Sequence, residues 1–206
     1  MSAPLPFALP LIAILRGITP AEAPAHLDAL VEEGWDAIEI PLNSPDWQES
    51  IGAAVRRHGA DRWIGGGTVL QATQVDALAG LGARLMVTPN IAPALISHAV
   101  RAGLTVAAGF ATATEAFAAI DAGAQMLKLF PATTYGPAHV SALRAVLPPV
   151  PLLVVGGVTP DNLGTFLAAG AVGAGLGGDL YRPGQPVART RDQARGFKHA
   201  YQEATR

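Results

Sequence analysis

The chain has 206 residues, of which 50% are hydrophobic and 15% charged, and carries a formal net charge of −2. That length admits one domain with a sizeable core, and the near-neutral balance excludes the basic footprint of a nucleic-acid binder. Cysteine is absent, which removes disulfides, thiolate nucleophiles and Cys-based metal sites together and fits a cytoplasmic setting.

From the start of the chain, Met1-Ser2-Ala3-Pro4-Leu5-Pro6-Phe7 offers neither a basic n-region nor a long apolar core, so no signal peptide is expected. Gly and Pro interrupt every apolar run before it reaches bilayer length, so no membrane association is expected. Strand candidates follow in order: Leu9 to Leu15, Ala37 to Ile40, Trp63 to Val69, Leu85 to Val87, Leu104 to Val106, Met126 to Leu129, Leu152 to Val155 and Val172 to Leu176. These runs are mostly continuously apolar rather than alternating, as parallel strands covered on both faces should be. Between them lie helical patterns closed by Gly34, Gly82, Gly103, Gly123 and Gly170, each placed where a left-handed residue ends a helix. Helix starts are read at Thr19-Pro20, Ser44-Pro45 and Thr159-Pro160, with an N-cap followed by Pro at the first helical position, and Thr112 with Glu115 makes a capping box. A final helix over about 187 to 204 puts Val187, Ala194, Phe197 and Tyr201 on one stripe.

Eight β-α units without a linker predict one (β/α)8 TIM barrel spanning residues 1–206, with a doubly wound open sheet as the alternative. In such a barrel the chemistry lies at the C-terminal strand ends. The polar residues read there are Arg16, Glu39, Asn43, Thr68, Thr88, Lys128 and Asp179, beside the pairs Gly156-Gly157 and Gly177-Gly178.

Lys128 is one of only two lysines and sits inside the apolar run Met126 to Pro131. Burial there lowers an amine's pKa and frees it to attack a carbonyl, although a lysine snorkelling from a strand edge fits the same pattern. Glu39, inside Ala37-Ile38-Glu39-Ile40-Pro41, is either an acid/base with raised pKa or a strand-end carboxylate paired with Arg16 or backbone amides. The glycine pairs after strands 7 and 8 suit a phosphate held by backbone amides, or merely tight turning. Arg16 suits a carboxylate clamp. Thr68, after Gly65-Gly66-Gly67, either donates to that carboxylate or caps a helix. The series Gly173, Gly175, Gly177 superficially matches a dinucleotide fingerprint but has no βαβ unit after it. His26, His58, His98, His139 and His199 fall in helical stretches without zinc-like spacing and are expected on the surface.

Several phrases, taken together and in order, resemble the 2-keto-3-deoxy-6-phosphogluconate and -galactonate aldolases. They are Leu11 to Gly17, Glu39 to Pro45, Gly65 to Leu70, Val87 to Asn90, Ala111 to Ala116, Leu127 to Pro131, Gly156 to Pro160 and Gly177 to Tyr181. The resemblance covers nearly the whole chain and is closer to the galactonate branch. It implies a Schiff-base aldolase that cleaves a phosphorylated 2-keto-3-deoxy sugar acid to pyruvate and glyceraldehyde 3-phosphate, needs no metal or cofactor, and assembles as a homotrimer. Carried over residue by residue, Lys128 matches the Schiff-base lysine and Glu39 the acid/base. Arg16, Thr68, Pro89, Phe130 and Val155 fall at substrate-binding positions, and Gly156, Gly157, Gly177, Gly178 and Asp179 at the phosphate end. Val155 stands where the gluconate branch typically has threonine. Two departures stand out: Gly177-Gly178-Asp179 replaces the usual Gly-Ser-Asp, and Ala108-Gly109 the usual Pro-Gly. A phosphosugar isomerase or epimerase using Glu39 as base, and a non-catalytic phosphate-ligand binder, are the competing readings.

Overall fold

The computed structural model describes residues 5–206; Met1 to Pro4, part of the segment read above as lacking signal-peptide character, lie outside the described residues. The chain alternates strand and helix: β1 (Leu11–Ile14), α1 (Ala23–Glu32), β2 (Ala37–Pro41), α2 (Trp47–His58), β3 (Trp63–Gly67), α3 (Ala72–Gly80), β4 (Leu85–Val87) and α4 (Pro93–Arg101). It continues with β5 (Thr105–Phe110), α5 (Ala113–Asp121), β6 (Met126–Leu129), α6 (Ala132–Arg144), β7 (Leu152–Val155), α7 (Pro160–Ala168), β8 (Gly173–Leu176) and α8 (Val187–Ala204). The strands close on themselves in chain order, β1 pairing in parallel with both β2 and β8. The expected (β/α)8 barrel is therefore the observed fold, and the open sheet is not.

Two apolar layers explain the continuous hydrophobic runs. One residue parity of each strand faces outward: Leu11 and Ala13, Ile38 and Ile40, Leu127 and Leu129, and Leu152 and Val154 join the layer beneath the helices. The other parity faces the barrel axis, where Ile12, Ala37, Leu85, Val87, Ala107, Met126 and Leu153 form a separate cluster joined by Phe7. The interior is filled up to the level of Lys128 and Glu39, so chemistry is confined to the mouth. The predicted C′ glycines all have positive φ, from 77° at Gly82 to 108° at Gly170. The Thr112–Glu115 box forms, Glu115 N donating to Thr112 Oγ1 at 3.3 Å and Thr112 N to Glu115 Oε2 at 2.8 Å. Thr159 caps α7 with Asn162 closing the box.

Four expectations are corrected. Helix α1 begins after Glu22, not Thr19; the Glu22 carboxylate reaches back to accept from Thr19 N and Oγ1. Helix α2 begins after Asp46, because the Ser44 hydroxyl is taken by Gly17 N at 2.8 Å and is not free to cap. Thr68 is not the cap of α3, which starts after Gln71. Among the histidines, His26 is buried, its Nδ1 2.8 Å from Thr190 Oγ1, because its position on α1 faces α8 rather than solvent.

Close packing at β3 is absolute at one point: a Cβ on Gly65 would overlap the Leu85 carbonyl, whereas one on Gly80, at the end of α3, meets nothing within 4 Å. Gly65→Ala should therefore lose about 3 kcal/mol. Gly80→Ala should gain about 0.5 kcal/mol through helix propensity and the unfolded state. Urea unfolding midpoints of the two variants check both signs.

Candidate active site

Lys128 and Glu39 come from opposite sides of the barrel and line one inner compartment. Its walls are Ile12, Ile14, Val87, Ala107, Leu153, Val155 and Gly175, and its free volume is about 10 Å³. Each charged residue occupies an inward-facing strand position, Glu39 opposite Gly65 in the β2–β3 ladder and Lys128 opposite Gly109 in the β5–β6 ladder. Glycines make the room. A Cβ on Gly67 would overlap the Glu39 carboxylate, and one on Gly109 would strike the backbone at Thr88 and Pro89. Thr88, itself buried, locks that crossing: its hydroxyl accepts from Gly109 N at 2.9 Å and donates to Asn90 O at 2.8 Å.

Both groups are buried, and both respond to that. Burial raises the Glu39 carboxyl to about 7, against the opposing pull of Lys128 and then Arg16. Burial lowers the Lys128 ammonium, with Glu39 acting in the opposite direction and Arg16 adding to the lowering. Among the described residues Glu39 Oε2 has no hydrogen-bond partner. Lys128 does not snorkel; its residue is 6% exposed and its Nζ lies 5.2 Å from the Phe130 ring centroid.

Above this compartment opens a basin of about 300 Å³, walled by Ile14, Arg16, Phe130, Val155 to Val158, Gly175 and Gly177 to Asp179. Ile14, Val155 and Gly175 line both spaces and join them. On one flank Arg16 Nη1 donates to Asn43 Oδ1 at 2.8 Å, and its Nη2 lies 3.5 Å from Thr68 Oγ1. Thr68 holds this place with φ 56°, a conformation that costs a non-glycine residue about 1–2 kcal/mol and so marks a position fixed by its surroundings. On the other flank Gly156 (φ 100°) and Gly157 (φ 73°) turn the chain into α7, where a Cβ on Gly157 would press on the Thr133 hydroxyl. Gly178 is open, with nothing within 4 Å of an added Cβ, and Asp179 lies 3.9 Å from Arg182 Nη2.

The structure thus brings together Arg16, Glu39, Lys128, Phe130, Val155, Gly156, Gly157, Gly177, Gly178 and Asp179 around two joined spaces. Thr68 reaches them through Arg16, while Pro89 stands behind Gly109 and lines neither space. The sequence reading gave no role to Asn43, the partner that orients Arg16, or to Ile14 and Gly175, which face inward by strand parity. That parity was the available signal. Among the described residues no group of three or more His, Asp or Glu side chains is placed to hold a metal ion, and no helix is long and apolar enough to cross a membrane.

A closed barrel with its polar groups gathered at one mouth belongs among the (β/α)8-barrel enzymes. More narrowly, the family model for KDPG and KHG aldolases matches residues 7–189, and the chain belongs to that family. The 2-dehydro-3-deoxy-6-phosphogalactonate aldolase of Escherichia coli K12 is 58% identical over 197 residues, 95% of this chain and 96% of its own. A probable 2-dehydro-3-deoxy-6-phosphogalactonate aldolase of Rhizobium meliloti is 48% identical over 197 residues, covering 95% and 93% of the two chains. A solved structure described as native KDPGal matches with TM-score 0.96 at 56% identity, covering 100% of this chain and 99% of its own.

The raised pKa of Glu39 has a consequence for stability. The folded state holds a proton on this carboxyl between the ordinary value of 4.5 and about 7, where the unfolded chain has lost it. Its contribution is therefore complete below 4.5 and disappears as pH rises through about 7. Glu39→Gln cannot ionise, so its stability relative to wild type should rise by about 2 kcal/mol between about pH 5 and about pH 8. Denaturant titrations at the two pH values measure that difference.

Proposed function

We propose that this protein is a Schiff-base aldolase that cleaves 2-dehydro-3-deoxy-6-phospho-D-galactonate to pyruvate and D-glyceraldehyde 3-phosphate, in galactonate catabolism. The observation that carries the reading is the buried lysine sharing a compartment with a buried carboxyl of pKa about 7, beneath a basin rimmed by an arginine and two glycine pairs.

Arg16 and Thr68 hold the substrate carboxylate, which places the C2 ketone over the inner compartment. The neutral Lys128 amine attacks C2. Glu39 delivers a proton to the departing oxygen, and water leaves as the carbinolamine becomes an imine. The protonated imine then draws electrons from the C3–C4 bond while Glu39 takes the C4 hydroxyl proton. Glyceraldehyde 3-phosphate departs, and the enamine left on Lys128 gains a proton at C3. Water adds back at C2 and releases pyruvate, regenerating the amine. A carboxyl poised near neutrality serves both directions of proton transfer. The phosphate sits against the backbone at Gly156-Gly157 and Gly177-Gly178, with Asp179 at the edge of that subsite. Phe130 covers the amine, and Pro89 supports Gly109 behind it. No cofactor or metal takes part in these steps and the chain assembles as a homotrimer, points that rest on the family resemblance; the enzyme works in the cytoplasm, a reading that rests on the absence of cysteine.

Incubation with pyruvate and borohydride, followed by peptide mass mapping, should place one reduced pyruvyl adduct on Lys128. Lys128→Ala should abolish the adduct and lower kcat/KM by at least about a thousandfold with the fold retained. An adduct elsewhere, or substantial turnover by the variant, rejects the mechanism; isomerase turnover without any adduct would favour the proton-transfer alternative.

Substrate choice turns on Val155, which lines both spaces and offers no hydrogen bond. Wild type should prefer the galacto over the gluco epimer. Val155→Thr, which adds a buried hydroxyl, should shift the ratio of kcat/KM values towards gluco by about tenfold. A wild type that prefers the gluco substrate refutes this assignment.

A further inference from the structure

The amides at the end of β8 can bind an anion only if their peptide planes are fixed, and the planes are fixed from behind. The Gly177 carbonyl accepts from Leu180 N at 2.8 Å and Tyr181 N at 2.9 Å. The Gly178 carbonyl accepts from Arg182 Nε at 2.8 Å. In a trans peptide the N–H points opposite to the C=O of the same unit. Turning these two carbonyls towards residues 180–182 therefore turns the Gly178 and Asp179 amides the other way, towards the basin that both residues line. No backbone acceptor in the loop takes either amide.

Residues 180–182 are themselves gripped by one side chain. Gln185 Nε2 donates to Leu180 O at 2.9 Å and to Thr190 Oγ1 at 2.6 Å, and its Oε1 accepts from Arg182 N at 3.1 Å. Every hydrogen of the amide is used. Thr190, buried on α8, shares a further hydrogen bond with Nδ1 of the buried His26 on α1, 2.8 Å from its hydroxyl oxygen. The loop is thereby tied through Gln185 to two helices of the outer ring.

We infer that Gln185 is a positioning residue for the phosphate end of the substrate, setting the orientation of the Gly178 and Asp179 amides through Leu180 and Arg182. The inference rests on the aldolase reading and deepens its phosphate subsite. It also answers the absence of a serine hydroxyl at Gly178: where the backbone alone donates, the fixity of the backbone carries the affinity.

Gln185→Met keeps the side-chain length and removes all three hydrogen bonds. It should raise KM for the phosphorylated substrate about tenfold while kcat changes less than about threefold. KM for the same keto acid without phosphate, and the rate of pyruvate trapping on Lys128, should stay at wild-type values. A general loss of structure would move all four. Thr190→Val, which removes only the anchor beyond Gln185, should raise the phosphate-dependent KM by a smaller factor. The inference is overturned if either variant shifts both substrates alike, or if Gln185→Met leaves the preference for the phosphorylated substrate intact. The wild-type controls separate the two levels: no adduct on Lys128 sinks the aldolase reading and this inference with it. An adduct-forming wild type whose phosphate preference survives in Gln185→Met sinks this inference alone.

Discussion

Two groups of opposite charge are held away from water in one small compartment, and the site depends on how that cost is met. Desolvating an ammonium and a carboxylate costs several kcal/mol each, and mutual attraction returns only part of it. Here the two do not form a hydrogen-bonded pair; Glu39 Oε2 is left without a partner. The cost is reduced by moving protons: burial raises Glu39 to about 7 and lowers Lys128, so each side chain is drawn towards its neutral form. A neutral amine is a nucleophile and a protonated carboxyl is an acid, so the same desolvation that strains the fold prepares the chemistry.

Space for this pair comes from omission. A small barrel fills its own interior with side chains, and here the lower interior does so with Ile12, Leu85, Met126 and Leu153. Higher up, the inward positions of β3, β5 and β8 are glycine. At Gly67 and Gly109 any side chain would overlap the Glu39 carboxylate or the neighbouring backbone, and at Gly175 it would press on Val155. The glycine run of β3, weak as a strand former, is tolerated because its neighbours on both sides pair with it in register. The local sequence rule is broken where the site needs volume.

This explains which parts of the molecule were legible in the sequence. The strands were visible because parallel strands buried on both faces read as apolar runs, and helix ends were visible because Gly34, Gly82, Gly103, Gly123 and Gly170 each need positive φ. Lys128 and Glu39 stood out as charges inside such runs. What misled was local chemistry borrowed by tertiary structure. Ser44 looks like a helix cap, yet its hydroxyl serves Gly17 from across a neighbouring loop. Thr68 looks like one too, yet it stands at φ 56° beside Arg16. His26 was read as exposed because nothing in its own helix says that α8 lies over it. Asn43 was read at the mouth, but its role as the partner of Arg16, and the place of Ile14 and Gly175 in the site, emerged only once barrel closure fixed which strand ends are neighbours.

The two ends of the proposed substrate are also mechanically linked. Arg16 and Gly17 follow β1, and the loop after β8 closes the barrel beside them. Gly17 is held from one side by Ser44, and a Cβ there would strike Pro183, so the two loops touch with no room between them. Glu22 ties them again, one carboxylate oxygen accepting from Gly184 N at 3.2 Å and the other from the Thr19 hydroxyl. The spacing of the two loops that carry the proposed carboxylate clamp and the proposed anion-binding amides is therefore set by packed backbone. Under the proposed reaction, a mouth built this way suits a substrate whose two anionic ends are a fixed span apart, with the ketone between them facing Lys128.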